Sequence, residues 1–327
     1  MDLDVVFLGT SASAPTARRG TSSLLVRRGG DRLLFDCGEG TQRQLLRSTV
    51  GLIDLEDVFL THLHADHYLG LPGMLKTFSL RMREPALRVY GPSGLRELFG
   101  ALGRVIGKLT YELELVELRA GDAVARDGYR VCAYPVAHGV SAVGYALVEE
   151  GRPGRFDEER ADALGVPFGP ERGLLQRGEV VTLADGRVID PADLVGPPRR
   201  GRTIVYTGDT APTDAVPLLF HGADVLIHEA TFGDDDAARA AETGHSTARQ
   251  AGETARAAEV ALLALTHVSP RYYGPELLRE AQDVFPATVL PRDFDVIEVP
   301  FPERGAPELV KGGAGTERRA AEGAVEA

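Results

Sequence analysis

Thr61-His62-Leu63-His64-Ala65-Asp66-His67 concentrates three imidazoles and a carboxylate directly after a short apolar run, Val58 to Leu60. Imidazole nitrogen and carboxylate oxygen are the donors that zinc and similar divalent ions take. One ion uses only three or four protein ligands. With the metal-type side chains further along the chain, the donors suffice for two. Four apolar runs end in such side chains: at His62 to His67, at Asp209, at His228-Glu229 and at His267. Ligands in layered α/β folds gather where strands run into loops, so these four ends are the expected walls of one metal centre.

The elements that must position them alternate along the first 150 residues. Val5 to Leu8, Ser23 to Val26, Leu33 to Phe35, Val58 to Leu60 and Leu87 to Tyr90 are short apolar runs bounded by turn residues, which predicts strands. Leu113 to Leu118, Tyr129 to Val136 and Ala142 to Val148 read the same way. Helices are predicted over Glu39 to Ser48, Met74 to Leu80 and Leu95 to Ile106. From Gly151 to Arg202 the chain turns rich in Gly, Pro and charge, with no strong amphipathic period, and reads as an insertion projecting from the body. Alternation resumes with strands at Ile204 to Tyr206, Val225 to Ile227, Ala261 to Leu265 and Val296 to Val299. Helices are predicted over Ser246 to Ala258, with Ser246 or Thr247 near the N-cap, and Pro275 to Phe285. The organisation expected is a body of 1–150 and 203–300, a flexible inserted arm at 151–202, and a disordered tail at 301–327 rich in Gly, Ala and Glu.

Composition narrows the class. Of 327 residues, 43% are hydrophobic, enough for a sizeable core, and no run of 18 apolar residues suggests a membrane span. Asp2 and Asp4 open the chain, which reads as a first strand and not as a signal peptide. The expected compartment is the cytoplasm. Cys37 and Cys132 form no CxxC pattern and are expected to be core thiols. The net charge of −12 argues against broad nucleic-acid affinity, and no DNA partner is expected. Only three lysines are present, so phosphate contacts would fall mostly to arginine.

The HxHxDH run, with Ala137-His138-Gly139 and Thr207-Gly208-Asp209-Thr210 after later strands, resembles the metallo-β-lactamase superfamily over almost the whole chain. That resemblance implies an αββα four-layer sandwich. It also implies a division of ligands: His62, His64 and His138 to one ion, Asp66, His67 and His267 to the other, and Asp209 bridging both. Two zinc ions per subunit are implied, with manganese or magnesium as substitutes. Asp36 would orient a ligating histidine through a hydrogen bond.

Within the superfamily, Phe35-Asp36-Cys37-Gly38-Glu39-Gly40-Thr41-Gln42-Arg43-Gln44 is similar to the ribonuclease Z family. So are His228-Glu229-Ala230-Thr231 and Gly244-His245-Ser246-Thr247, and the insertion stands where that family carries a tRNA-binding arm. The family's N-terminal Pro-x-Lys-x-Arg-Asn loop falls on Pro15 to Gly20, where Pro15 and Arg19 match but Ala17 and Gly20 depart. Discrimination against tRNA already bearing CCA is therefore not implied. The arm carries nine Arg and nine acidic residues. Arg152, Arg155, Arg172, Arg177 and Arg199 to Arg202 are its candidates to meet phosphate.

The resemblance implies an endoribonuclease that removes the 3′ trailer from precursor tRNA, leaving tRNA 3′-OH and trailer 5′-phosphate. Asp66 would hold or deprotonate the attacking water. His245, oriented by Glu229, would protonate the leaving oxygen. A homodimer is implied, with the arm of one subunit gripping tRNA cut in the other. The alternatives are a small-molecule phosphodiesterase or related hydrolase on the same fold, a diiron redox protein, or a non-catalytic RNA-binding module. The diiron class carries Glu where His64 stands.

Overall fold

The computed structural model of the chain describes residues 1–52 and 55–312. In chain order its strands begin with β1 (Leu3–Gly9), β2 (Ser23–Arg28), β3 (Asp31–Phe35), β4 (Asp57–Phe59), β5 (Leu87–Gly91) and β6 (Leu113–Glu117). Next come β7 (Ala123–Arg126), β8 (Tyr129–Pro135), β9 (Val143–Glu149), β10 (Val181–Thr182), β11 (Val188–Ile189) and β12 (Thr203–Tyr206). The last are β13 (Val225–Glu229), β14 (Leu262–Thr266), β15 (Thr288–Val289), β16 (Val296–Glu298) and β17 (Glu308–Val310). The helices are α1 (Thr41–Arg47), α2 (Ala65–Tyr68), α3 (Gly70–Leu80), α4 (Leu95–Ile106) and α5 (Glu158–Ala163). They continue with α6 (Pro170–Gln176), α7 (Ala215–Leu219), α8 (Ala237–Thr243), α9 (Ala248–Ala257) and α10 (Pro275–Gln282).

Two mixed sheets form the body. One runs β17-β16-β1-β2-β3-β4-β5-β6 and the other β15-β14-β13-β12-β9-β8-β7. Strands β3 to β6 are mutually parallel, as are β12 to β15, and the rest pair antiparallel. The strands nearest the middle, such as β1, β4, β13 and β14, are buried along almost their whole length, which is why they read as continuous apolar runs instead of alternating ones. Residues of both sheets share one central cluster that includes Val5, Phe7, Phe35, Phe59, Tyr145, Tyr206 and Ile227. A second cluster packs α1, α3 and α4 on the outer face of the first sheet, and a third packs α7, α9 and α10 on the second. The result is four layers, helix, sheet, sheet, helix.

The parallel strands end at one rim, where loops of the two sheets are stitched together. Val143 N–H donates to Thr61 O at 2.9 Å, and isolated bridges join His62 to Ala142 and Ala137 to Ala211. Beneath the rim, tyrosines of the second sheet reach across to the first. Tyr145 Oη donates to Leu60 O at 3.0 Å and Tyr206 Oη to Asp36 Oδ2 at 2.8 Å. No helix among the described residues is long and apolar enough to cross a membrane.

Three expectations change. The segment 151–202, expected as a flexible arm without strong amphipathic period, contains a small folded unit. Helices α5 and α6 and the β10–β11 hairpin enclose Ala161, Val166, Leu175, Val181, Ile189 and Leu194. Of the expected tail, residues 301–312 are ordered: Pro302–Arg304 make a 3-10 turn and β17 pairs with β16. Residues 313–327 lie outside the described residues. Cys37 is fully buried, but Cys132 is only partly so, because it lies on β8 close to the sheet's edge strand β7, which pairs with it through Ala123.

Candidate metal centre and active site

The donors arrive from the ends of four strands, β4, β8, β12 and β14, and from the short helix that follows the first of them. His62 and His64 follow β4, and Asp66 and His67 ride on α2, the four-residue helix that follows. His138 follows β8, Asp209 follows β12, and His267 follows β14. The turns that deliver them are tight. Gly208 has φ +60° and a Cβ there would lie 2.7 Å from Thr61, while a Cβ on Gly70 would lie 2.1 Å from Gly38 O. Asp36 and His267 adopt left-handed backbone at φ 57° and 54°, a conformation that non-glycine residues hold only where the surroundings enforce it.

The donor atoms converge as two groups. Ligand atoms of His62, His64, His138 and Asp209 lie within 4.8 Å of one another, as do those of Asp66, His67 and His267. His64 Nδ1 is 3.1 Å from His62 Nε2 and 3.2 Å from His138 Nε2. Asp209 faces both groups. Its Oδ2 is 3.6 Å from His62 Nε2, and its Oδ1 is 3.4 Å from the Nε2 atoms of both His67 and His267. Asp66 Oδ2 lies 3.3 Å from His267 Nε2 and 3.7 Å from His67 Nε2. Donors held ~2.0–2.1 Å from a tetrahedral ion are separated by about 3.3 Å, so these spacings match the edges of coordination polyhedra.

Two atoms test the fit directly. His67 Nε2 and Asp209 Oδ1 are buried and have no hydrogen-bond partner, although buried polar atoms almost always have one. A cation between them satisfies both. The donor set is consistent with a binuclear metal site.

Protein groups hold the rings in place. His67 Nδ1 donates to Asp36 Oδ2 at 2.8 Å, and His138 Nδ1 donates to Gly244 O at 2.9 Å. His62 Nδ1 faces Thr61 Oγ1 at 3.1 Å, and His267 Nδ1 faces Thr231 Oγ1 at 2.8 Å. With Nδ1 occupied, Nε2 is the nitrogen turned to the centre, the arrangement that fixes tautomer and ring direction in metal sites. Ser13 N–H donates to Asp66 Oδ2 at 2.8 Å.

Charge favours cations here. Burial would raise the Asp209 carboxyl, but His267, His67 and His62 hold it well below the usual carboxylate range. Burial likewise opposes ionisation of Asp66, and its hydrogen bond with His267 overrides it, so its acidity is increased. Burial pushes His62 down, toward the neutral form that ligates metals.

His245 stands beside this set. Its Nδ1 is 2.8 Å from Glu229 Oε1, and its ring stacks on His267 with centroids 5.5 Å apart. Glu229 is fully buried and accepts from Thr210 N–H at 2.9 Å, Thr231 N–H at 3.2 Å and Thr231 Oγ1 at 2.5 Å. With His245 Nδ1, four donors converge on this carboxylate and hold it in place. Burial would lower His245, but the hydrogen bond and charge of Glu229 raise it. His245 also falls within a donor group with Asp209 and His267.

The candidate ligands His62, His64, Asp66, His67, His138, Asp209 and His267 and the candidate catalytic pair His245 and Glu229 meet at one rim, and His228 does not join them. It ends β13 buried, with Nδ1 donating to Glu229 O at 2.8 Å, and belongs to none of the donor groups. Thr231 and Tyr206 were given no role in the sequence reading. Thr231 connects Glu229 to His267, and Tyr206 steadies Asp36.

The arm arginines are mostly engaged. Arg202 is fully buried against Glu149, and Arg200, Arg172 and Arg177 pair with Asp224, Glu158 and Glu179. Arg202 therefore does not meet phosphate. Arg155 and Arg160 are exposed and carry no ion pair among the described residues.

The model of the metallo-beta-lactamase superfamily matches residues 16–267. Ribonuclease Z of Natronomonas pharaonis is 47% identical over 308 residues, 93% of this chain and 100% of that protein. Ribonuclease Z of Gemmatimonas aurantiaca is 48% identical over 308 residues, 93% of this chain and 98% of its own. Among solved structures, human tRNase Z, short form, superposes with a TM-score of 0.66 at 28% identity, over 91% of this chain and 99% of that one. Identity near one half extends over more than nine-tenths of the chain, far beyond the metal motif, and the chain belongs to the ribonuclease Z family of the metallo-beta-lactamase superfamily.

Proposed function

We propose that the chain is an endoribonuclease that removes the 3′ trailer from precursor tRNA, leaving a tRNA 3′-OH and a trailer 5′-phosphate. The observation that carries this is a carboxylate, Asp209, facing two donor groups, with a carboxylate-backed imidazole, His245, beside them. The family's name and that of its human relative supply the substrate class.

Zinc is the ion this donor set suits, two per subunit, with manganese or magnesium able to take a place. His62, His64 and His138 would hold one ion and Asp66, His67 and His267 the other, with Asp209 between them. When bound, such a pair activates a water and clamps a phosphodiester. Asp66 orients the attacking water and receives its proton. His245 holds a proton at Nε2 and delivers it to the departing 3′ oxygen, and Glu229 fixes the ring and favours its charged form. The arm offers Arg155 and Arg160 to the tRNA backbone, as positioning contacts. The working unit is a homodimer.

The test is cleavage of a 3′-extended precursor tRNA by the purified protein, with Asp209→Ala in parallel. One cut just before the CCA position, absent in the variant, is expected. No cut, despite full metal content and turnover of bis-p-nitrophenyl phosphate, would discard the tRNA substrate and keep the hydrolase.

A further inference from the structure

We propose that Phe301–Glu303 is a clamp that sets the direction of the arm, making Glu303 a positioning residue for precursor tRNA; the inference rests on the substrate reading above. The arm leaves the body after β9 and returns before β12, and its two legs pair with each other. Arg152 N–H donates to Arg199 O at 2.7 Å, Arg199 N–H to Arg152 O at 2.9 Å, and Gly196 N–H to Arg155 O at 3.0 Å. The legs touch so closely that a Cβ on Gly154 would lie 1.8 Å from Gly196 O. A paired ribbon of this kind transmits direction from its root, so the contacts at the root decide where the arm points.

Both legs grip the same short segment. Arg152 donates to Glu303 Oε1 at 2.9 Å and to Oε2 at 3.1 Å, and Arg199 donates to Oε1 at 3.0 Å. The Arg152 guanidinium carbon is 3.4 Å from the Phe301 ring centroid, and that of Arg202, on the returning leg, is 4.0 Å from it. Arg152 Nε is buried with no hydrogen-bond partner, so the ring is what faces that part of the cation. Arg202 is held independently by Glu149 and by Val299 O at 2.8 Å. Its leg stays anchored whatever happens at Glu303. The leg of Arg152 is tied to the body at its base, where Glu150 N–H donates to Gly128 O at 3.0 Å; from Arg152 onward its side-chain hold on the body among the described residues is Phe301 and Glu303, so it loosens once Glu303 lets go. Hydrogen bonding from Arg152 holds the Glu303 carboxyl down at about 2, so the clamp is charged at any working pH.

A looser root lowers the fraction of molecules whose arm is aimed to receive tRNA, and apparent affinity falls by that fraction. The chemistry at the metal centre is untouched. Glu303→Gln, an exposed change, is expected to raise KM for precursor tRNA roughly 3- to 10-fold, as for loss of a surface ion pair of two partners. Its kcat and its turnover of bis-p-nitrophenyl phosphate stay at the wild-type level, and Glu303→Asp falls between. Arg199→Gln raises KM as well, by less than Glu303→Gln, and the two effects fall short of additive, because the Arg199–Glu303 contact is lost in both. If Arg199 met the RNA directly, the two effects would add. A wild type that cuts precursor tRNA with Glu303→Gln at the same KM overturns the clamp alone, as does additive loss in the double variant. A wild type that cuts no precursor tRNA overturns the parent reading and the clamp together.

Discussion

At the scale of single residues, His245 and His67 each set Nδ1 against a carboxylate, and their surroundings separate their jobs. His67 is fully buried between Asp36 and Asp209, whereas the His245 side chain keeps 14% exposure and meets Glu229 at the rim. A proton donor must reach the leaving oxygen, so the partly open ring is the one suited to it. His245→Ala is expected to lower turnover of precursor tRNA by ~10²–10⁴, the usual range for a general acid, with two metal equivalents still found by elemental analysis. Loss of one equivalent would instead make His245 a ligand, which its place beside Asp209 and His267 makes a real alternative. Thr231 bears on both residues, since its hydroxyl donates to Glu229 and can accept from His267 Nδ1. Thr231→Val keeps the shape and removes both bonds. A loss of about 10–100-fold in activity or metal affinity is expected, and wild-type values for both would reduce Thr231 to packing. The ligands were legible in the sequence because four of them sit within six residues, whereas the service of Thr231 depends on neighbours 36 residues away and has no local pattern.

At the scale of elements, the loop between β1 and β2 is held from outside itself. Asp293 accepts from Thr10 Oγ1 at 2.8 Å, from Gly20 N–H at 2.6 Å and from Gln44 Nε2 at 2.7 Å, while Ser13 in the same loop touches Asp66. Burial, stronger than these bonds and nearby Arg19, pushes the Asp293 carboxyl from 3.8 up to about 6. The folded chain therefore holds this proton more tightly than the unfolded one does. The resulting stabilisation is complete below about pH 4 and is lost as pH rises through about 6, a change of about 3 kcal/mol. Urea unfolding of wild type and Asp293→Asn between pH 4 and pH 8 measures it: the wild-type advantage should shrink with rising pH, and a gap that does not vary with pH would refute it. The strands that were legible are those buried on both faces, where an apolar run suffices. The arm was not, because its seven buried apolar residues are scattered over two short helices, two two-residue strands and the turns between them, too little for a period to show. Strand β17 escaped for the same reason, with only Leu309 and Val310 to mark it.

At the scale of the whole molecule, the metal centre is a seam between the two sheets. His62, His64, Asp66 and His67 come from the first, and His138, Asp209 and His267 from the second. The layer order was legible through the family likeness, but the return of β16 and β17 to the edge beside β1 was not, since it rests on pairing across almost 300 residues. Below the seam the sheets are joined by apolar packing and aromatic contacts, such as Phe59 against Tyr145 at 5.3 Å. Removing metal should therefore weaken the molecule without unfolding it. Bound ions stabilise by RT ln(1 + [L]/Kd), about 2.7 kcal/mol when free metal is 100 times Kd. Their loss also leaves His67 Nε2 and Asp209 Oδ1 buried without partners. Chelated protein is expected to keep its far-ultraviolet circular dichroism and to unfold at lower denaturant, with the midpoint restored by added zinc. Asp209→Ala, which lacks the bridge, should show little response to chelator. Equal midpoints for metal-loaded and chelated wild type would mean that the apolar layer alone joins the sheets and that the seam serves chemistry only.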